Sequence, residues 1–117
     1  MSTEMDVAKA LVRTALAKGY RVVIWDGFSE TDDGLRDMLY LMPPGEVPDA
    51  VLEDALGRTE EDSIYLTTPD GKHLGTLWLI WGNDPSGEEL VADMTSTDAA
   101  RDVVNDVNRS FGFEVYE

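Results

Sequence analysis

The most apolar stretch of the chain is Leu74–Trp81, LGTLWLIW. In an extended strand, successive side chains point to opposite faces. Leu77 and Leu79 therefore share one face, and Trp78 and Ile80 share the other. Because both faces are apolar, the pattern predicts a central strand that is buried on two sides. The remaining segments must then supply its cover.

Patterns at both ends of the chain predict amphipathic helices. The first helix follows Ser2 or Thr3 as N-cap and ends at Gly19, and the last follows Thr97 and ends before Gly112. In both, apolar side chains recur at helical spacing. They are Val7, Ala8, Leu11, Ala15 and Leu16 in the first helix, and Ala100, Val104, Val107 and Phe111 in the last.

Two further helices are predicted in the middle of the chain. Thr31 is a suitable cap for a helix over Asp32–Met42, which Pro43 and its neighbours end. Pro48 suits the first position of a short helix that Gly57 closes. Their inward residues are expected to be Leu35, Met38, Leu39 and Met42 in the first, and Val51, Leu52, Ala55 and Leu56 in the second.

Three more segments are typical of strands. Tyr20–Trp25 and Ser63–Thr68 are rich in β-branched and aromatic residues. Pro69–Lys72 is a hairpin connection from the second of these into the central strand, and Glu89–Thr95 returns as a further strand. The C-terminal residues 113–117, FEVYE, either pair as an edge strand or lie free.

The predicted order of elements is α-β-α-α-β-β-β-α. It predicts a single α+β domain over residues 1–117, in which helices cover an antiparallel sheet of three to four strands. The chain has no Cys, which excludes disulfides and thiolate metal sites. Because no apolar run approaches the ~20 residues that cross a bilayer, and no signal peptide is recognisable, we predict a cytoplasmic protein that does not bind membranes.

The strongest compositional signal is negative charge. The chain has 24 acidic and 9 basic residues, a formal charge of −15. This charge argues against direct binding to nucleic acid and favours a basic partner protein. Half of the acids lie in one segment: Asp26, Glu30, Asp32, Asp33, Asp37, Glu46, Asp49, Glu53, Asp54, Glu60, Glu61 and Asp62.

Residues with catalytic or metal-binding chemistry are few. His73 is the only histidine and has no apparent Ser or Asp partner, so we predict no catalytic site, no cofactor and no enzymatic activity. Four acids could share a hard cation, but capping of a helix N-terminus is the favoured interpretation. They are Asp26, Glu30, Asp32 and Asp33. The tryptophans, which are Trp25, Trp78 and Trp81, are predicted to be core residues.

Four segments carry a resemblance to known proteins: Gly19–Gly27 (GYRVVIWDG), Gly75, Trp81–Asn83 (WGN) and Glu89–Thr95 (ELVADMT). In these segments the chain resembles a loose group of small phage and prophage proteins that share a GYxVxVxDGE strand and turn, and later a GN…ExIxDYT double strand. The resemblance implies no activity for any residue. It implies an accessory protein that acts on host machinery.

Two functions are consistent with these features. In the first, the protein is an acidic DNA mimic that occupies the basic groove of a host protein or nucleoprotein complex, as anti-restriction and anti-CRISPR inhibitors do. In the second, it is a non-enzymatic interaction module that binds a partner through an apolar groove beside Trp25 or Trp81, while its charge serves solubility. The residues predicted to carry mimicry are Asp32, Asp33, Asp37, Glu53, Asp54, Glu60, Glu61 and Asp62.

Overall fold

The computed structural model describes residues 3–25, 39–82 and 84–116. Within them, three helices lie on one face of a five-stranded antiparallel sheet with strand order β2-β1-β3-β4-β5. In chain order the elements are α1 (Glu4–Ala17), β1 (Arg21–Trp25), β2 (Leu39–Met42), α2 (Asp49–Ala55), β3 (Glu61–Thr67), β4 (His73–Ile80), β5 (Val91–Met94) and α3 (Asp98–Phe111). The predicted α+β class is confirmed, with one strand more than expected.

The two terminal helices begin and end as their sequences predict. Thr3 and Asp6 form a reciprocal capping box, in which the Thr3 Oγ1 accepts from the Asp6 N–H at 3.2 Å and the Asp6 carboxylate accepts from the Thr3 N–H at 3.1 Å. Thr97 caps α3 through the Ala100 N–H. Gly112 ends α3 in the left-handed conformation, with φ of 79°.

The core lies between the helices and one face of the sheet, here called the core face. Its sheet residues alternate along β1, β3 and β4 and are fully buried. They are Val22, Ile24, Ile64, Leu66, Leu77 and Leu79. On the opposite face, here called the outer face, Trp78 is 38% exposed and Ile80 is 40% exposed. The prediction that β4 is buried on two sides is therefore wrong, because the described helices cover the core face alone.

The helix predicted over Asp32–Met42 is wrong where the structure describes it. Leu39–Met42 is the edge strand β2, and Leu41 lies opposite Val23 of β1. Four consecutive apolar residues fit a short strand as well as a helical turn, and pairing with β1 satisfies backbone groups along one side. The part of the prediction over residues 32–38 lies outside the described residues.

The short helix α2 forms where predicted, but the prediction that Val51 faces inward is wrong. Pro48 is the N-cap, and Leu52, Ala55 and Leu56 are buried. Val51 is 44% exposed. A helix of seven residues presents a narrow face to α1, and Val51 lies about 100° around the axis from Leu52.

The C-terminal tail neither pairs as a strand nor lies free. Asn105 binds the backbone of Tyr116 twice, since its Oδ1 accepts from the Tyr116 N–H and its Nδ2 donates to the Tyr116 carbonyl, each at 2.7 Å. Asn108 donates to the Glu114 carbonyl at 2.9 Å. Both asparagines are buried on α3. Their side-chain amides therefore satisfy backbone N–H and C=O groups of the tail, as a neighbouring strand would.

Gly87 lies where the β4–β5 loop crosses α1. Its φ is +87°, and a Cβ at this position would stand 2.5 Å from the Val7 Cγ2. We therefore expect Gly87→Ala to lower the free energy of unfolding for two reasons. The left-handed backbone costs about 1–2 kcal/mol, and overpacking against Val7 costs about 1–3 kcal/mol. Gly71→Ala is the matched control, because Gly71 has φ of +96° and open space around it. Equal losses of unfolding free energy in urea would contradict the close approach.

Candidate partner-binding face

A row of side chains crosses four strands on the outer face of the sheet. Trp25 lies opposite Ser63, Ser63 lies opposite Trp78, and Trp78 lies opposite Asp93. Neighbouring strands are about 4.8 Å apart, so the backbones of the two tryptophans are about 10 Å apart, with the small Ser63 between them. The register thus places Trp25 and Trp78 on either side of the buried Ser63.

The residues of this row line a groove of about 450 Å³. Its floor includes Ser63, which is 6% exposed, and Trp25, Trp78 and Ile80 contribute apolar surface. The Trp25 Nε1 is buried and has no hydrogen-bond partner among the residues that the structure describes. Contiguous exposed apolar patches on the surface of a soluble protein commonly mark binding sites. The groove is therefore the first candidate for a site.

The charged residues that line the groove are all acidic. The exposed Glu61 and Asp93 contribute their side chains to it, and none of its lining residues is Lys or Arg. Asp62 also borders the groove, but its side chain lies on the core face. The Asp93 Oδ1 accepts from the Met94 N–H at 2.8 Å, which orients this carboxylate beside β5. An apolar groove with an acidic rim suits a ligand that is both apolar and cationic.

Asp62 has a structural role, contrary to its predicted place on an exposed acidic surface. The residue is 1% exposed. Its Oδ2 accepts from the Trp81 indole N–H at 2.7 Å and from the Gly57 N–H at 2.8 Å. The carboxylate joins the loop after α2 to the end of β4, and its burial removes it from any surface that carboxylates could present to a partner.

Part of the predicted acidic surface is neutralised within the chain. The Lys9 Nζ donates to the Glu53 carboxylate at 3.0 Å, and this hydrogen bond raises the pKa of Lys9. Arg13 pairs with Asp49 on the same side of α2. These exposed pairs contribute little to stability, but they lower the net negative charge of the surface between α1 and α2.

Three of the predicted residues are exposed and unpaired: Asp54, Glu60 and Glu61 show no ion pair among the described residues. Asp32, Asp33 and Asp37 lie outside the described residues. Elsewhere, exposed acids stand on the β4–β5 loop, on β5, on α3 and on the tail; they are Glu88, Glu89, Asp93, Asp98, Asp102 and Glu114. Within residues 3–25, 39–82 and 84–116, no three carboxylates or histidines converge as a metal ion would require.

Other acids bind the backbone of loops. The Glu4 carboxylate accepts from the Gly82 N–H at 2.9 Å and the Asp84 N–H at 3.3 Å. Hydrogen bonds from the hydroxyl and N–H of Ser86 lower the pKa of Asp84. These hydrogen bonds hold Gly82 and residues 84–87, which lie between β4 and β5, against α1 and against one another. His73 is exposed, with its Nε2 2.8 Å from the Thr76 Oγ1.

The sequence predicts an apolar groove beside Trp25 or Trp81, and Trp25 lines this groove whereas Trp81 does not. Its other lining residues could not be predicted, because they depend on strand register. Ser63, Ile80 and Asp93 are far apart in sequence and form no motif. The apolar character of Trp78 predicts a core residue. The available signal was the alternation in LGTLWLIW, in which Trp78 and Ile80 share the second face. That signal identifies an apolar face but not whether the chain covers it.

Comparisons of the chain with protein-family models, curated proteins and solved structures found no match. The resemblance to phage proteins therefore stays a prediction. Across the described part of the chain, no helix combines the length and apolar character that spanning a membrane requires. Function is therefore inferred from the geometry and charge of the site itself.

The dispersed negative charge predicts how stability responds to salt. Raising NaCl from about 10 mM to about 150 mM shortens the Debye length from about 30 Å to about 8 Å. We expect the melting temperature to rise over this range, because screening relieves repulsion in a chain of charge −15. The double variant Asp54→Lys/Glu60→Lys should respond less. A flat wild-type response in a calorimeter would show that the acids do not interact.

Proposed function

We propose that this protein is a non-catalytic binding module that captures a basic partner protein on the outer face of its sheet. The observation that carries the proposal is the groove in which exposed Trp78 and Ile80 lie beside Glu61 and Asp93. The partner segment is amphipathic, with apolar side chains for the floor and cationic side chains for the rim.

The two parts of the groove contribute differently to binding. Large apolar and aromatic residues at the centre of an interface supply most of the binding free energy. Rim charges act mainly on the association rate and on the choice of partner. A protein of charge −15 attracts basic partners at a distance and repels acidic ones, so the groove and the charge select the same class of ligand.

The experiment uses a short peptide of alternating Lys and Leu as the probe and its Glu–Leu counterpart as the charge control. We expect calorimetry to show binding of the Lys–Leu peptide alone, with affinity reduced about tenfold or more by Trp78→Ser/Ile80→Ser, as for hot-spot residues. Both side chains are partly exposed, and circular dichroism checks that the double variant is folded. Val51→Ser is the matched control, since Val51 is equally exposed but lies on α2. Unchanged affinity in the double variant would overturn the proposal.

DNA mimicry is a second candidate function, in which the protein inhibits a restriction or CRISPR complex by occupying its basic groove. The observation that favours it is the exposed set Asp54, Glu60 and Glu61, which form no ion pair with any residue that the structure describes, in a strongly acidic chain. Burial of Asp62 and pairing of Glu53 with Lys9 reduce the predicted set. These carboxylates would meet the Lys and Arg side chains that otherwise hold phosphates.

Competition with duplex DNA tests mimicry. Purified restriction and CRISPR complexes are assayed for DNA binding with and without the protein. Mimicry predicts inhibition of at least one complex that Asp54→Lys/Glu60→Lys abolishes and Trp78→Ser/Ile80→Ser leaves intact. Inhibition that survives the charge reversal, or a complex that binds DNA and this protein together, excludes mimicry.

A further inference from the structure

Two asparagine side chains of α3 hold the backbone of the C-terminal tail. Asn105 pairs with the N–H and the carbonyl of Tyr116, each at 2.7 Å, and Asn108 donates to the Glu114 carbonyl at 2.9 Å. We propose that this asparagine pair is a second binding site, which recognises the backbone of a basic, extended peptide and which the tail fills as a displaceable strap. None of these residues lines the groove on the outer face, so the inference goes beyond the proposed function.

The asparagine pair has the chemistry and the spacing to read a peptide backbone. A primary amide carries the donor and the acceptor of a peptide group, so Asn105 pairs with one residue as a neighbouring strand would. Residues three apart on a helix have Cβ atoms about 5–6 Å apart, and two residues of an extended chain span roughly 6.5 Å. The pair can therefore hold alternate residues of a ligand, as it holds Glu114 and Tyr116.

Burial of the two asparagines makes an occupant of the site necessary. Asn105 is 6% exposed and Asn108 is 8% exposed. A buried amide that loses its hydrogen-bond partners is unfavourable, because it has already lost its contacts with water. The site is therefore stable when a peptide backbone fills it, whether that backbone belongs to the tail or to another chain.

The tail is held by its backbone more than by its side chains. Val115 is 42% exposed and Tyr116 is 47% exposed. The preceding Phe113 is partly buried and stacks on Phe111, with ring centroids 5.6 Å apart. Since the side chains of Val115 and Tyr116 bury little surface, the hydrogen bonds to α3 must offset most of the backbone freedom that the tail loses. Such a segment is readily displaced, and a ligand of different sequence can replace it.

The charges around the site favour a basic ligand over the tail itself. A groove of about 250 Å³ beside the tail is lined by Asn108, by residues 114–116, and by Glu88 and Glu89. Both glutamates are exposed, and the tail places the like-charged Glu114 in the same groove. Like charges at close range repel, whereas a lysine in place of Glu114 would be attracted. The tail is thus an acidic occupant of an acidic site.

The test vacates the site in the full chain and supplies a peptide in its place. Tyr116→Pro removes the N–H that donates to Asn105, so the tail detaches, whereas the matched control Tyr116→Ala keeps that N–H. The probe is the peptide GFKVYK, which is the tail sequence with lysine in place of both glutamates. We expect calorimetry to show about tenfold tighter binding to Tyr116→Pro than to wild type or Tyr116→Ala, because a docked tail lowers the fraction of open sites.

Two changes should remove this binding by about tenfold or more. Asn105→Ala in the Tyr116→Pro chain removes the amide, and N-methylation of the tyrosine N–H in the peptide removes the group that the amide accepts. The methylated peptide leaves the protein unaltered, so it decides the question even where Asn105→Ala fails to fold by circular dichroism. The unmodified acidic peptide GFEVYE should bind more weakly than GFKVYK.

Three results would overturn the inference. They are equal binding to wild type and Tyr116→Pro, binding that N-methylation leaves unchanged, and tighter binding of GFEVYE than of GFKVYK. Trp78→Ser in the Tyr116→Pro chain distinguishes this site from the outer face. A site on α3 predicts unchanged affinity in that variant, whereas a loss would place the peptide in the outer-face groove, which supports the proposed function and contradicts the second site.

Discussion

Replacing Leu79 with Ala lowers the free energy of unfolding by about 2–5 kcal/mol, the range for large-to-small changes in a packed core. Leu79 is 0% exposed and lies on the core face of β4. The substitution removes the Cγ and both Cδ methyl groups. It leaves a cavity that the rigid sheet cannot close. Urea denaturation followed by circular dichroism measures the loss.

Ile80→Ala is the matched control for this prediction. Ile80 is the next residue in the same strand but lies on the outer face, where it is 40% exposed. We expect a smaller loss, about 1 kcal/mol, because Ile80 is partly exposed and its removal leaves no closed cavity in the core. A loss below about 1 kcal/mol at Leu79, or an equal loss at both positions, would contradict the assignment of the two faces.

Asp62→Ala is expected to have the second largest effect, a loss of about 1–3 kcal/mol or more. The substitution removes the acceptor of the Trp81 indole N–H and of the Gly57 N–H. A donor left without an acceptor in a partly buried setting costs about 1–3 kcal/mol. Removal of the buried carboxylate relieves its own desolvation cost and offsets part of the loss from the second donor. The cost identifies Asp62 as a structural residue and not part of a binding surface.

Two variants separate this effect from the loss of negative charge. Asp62→Asn keeps an acceptor oxygen and should retain more stability than Asp62→Ala. Glu61→Ala removes the same charge from the adjacent, exposed position and should change the unfolding free energy by less than about 0.5 kcal/mol. Similar stabilities for Asp62→Ala and Glu61→Ala would show that the hydrogen bonds contribute nothing.

Much of the fold could be predicted because local signals agreed with one another. The capping box at Thr3, the cap at Thr97 and Gly112 define two helices, and the hairpin at Pro69–Lys72 orders β3 and β4. The segment Leu39–Met42 could not be assigned in this way, because four apolar residues before Pro43 satisfy both a helical and an extended pattern. Pairing with β1, a distant segment, decides between them.

Asp62 and Trp78 show why the candidate site was harder to predict. Asp62 belongs to an acidic run, but β3 begins at Glu61, which places Asp62 on the same face as Ile64 and Leu66. Trp78 has the apolar character of a core residue, yet the described helices cover the other face of β4. Residue character alone does not say which face the tertiary structure covers.

Nuclear magnetic resonance mapping tests the central claim most directly. Isotope-labelled protein is titrated with the Lys–Leu peptide, and the shifts of backbone amides and indole N–H groups are followed. Capture on the outer face predicts that the largest shifts fall on the indoles of Trp25 and Trp78 and on the amides of Ser63 and Ile80. Shifts concentrated at Asp54 and Glu60, with the two indoles unmoved, would contradict it.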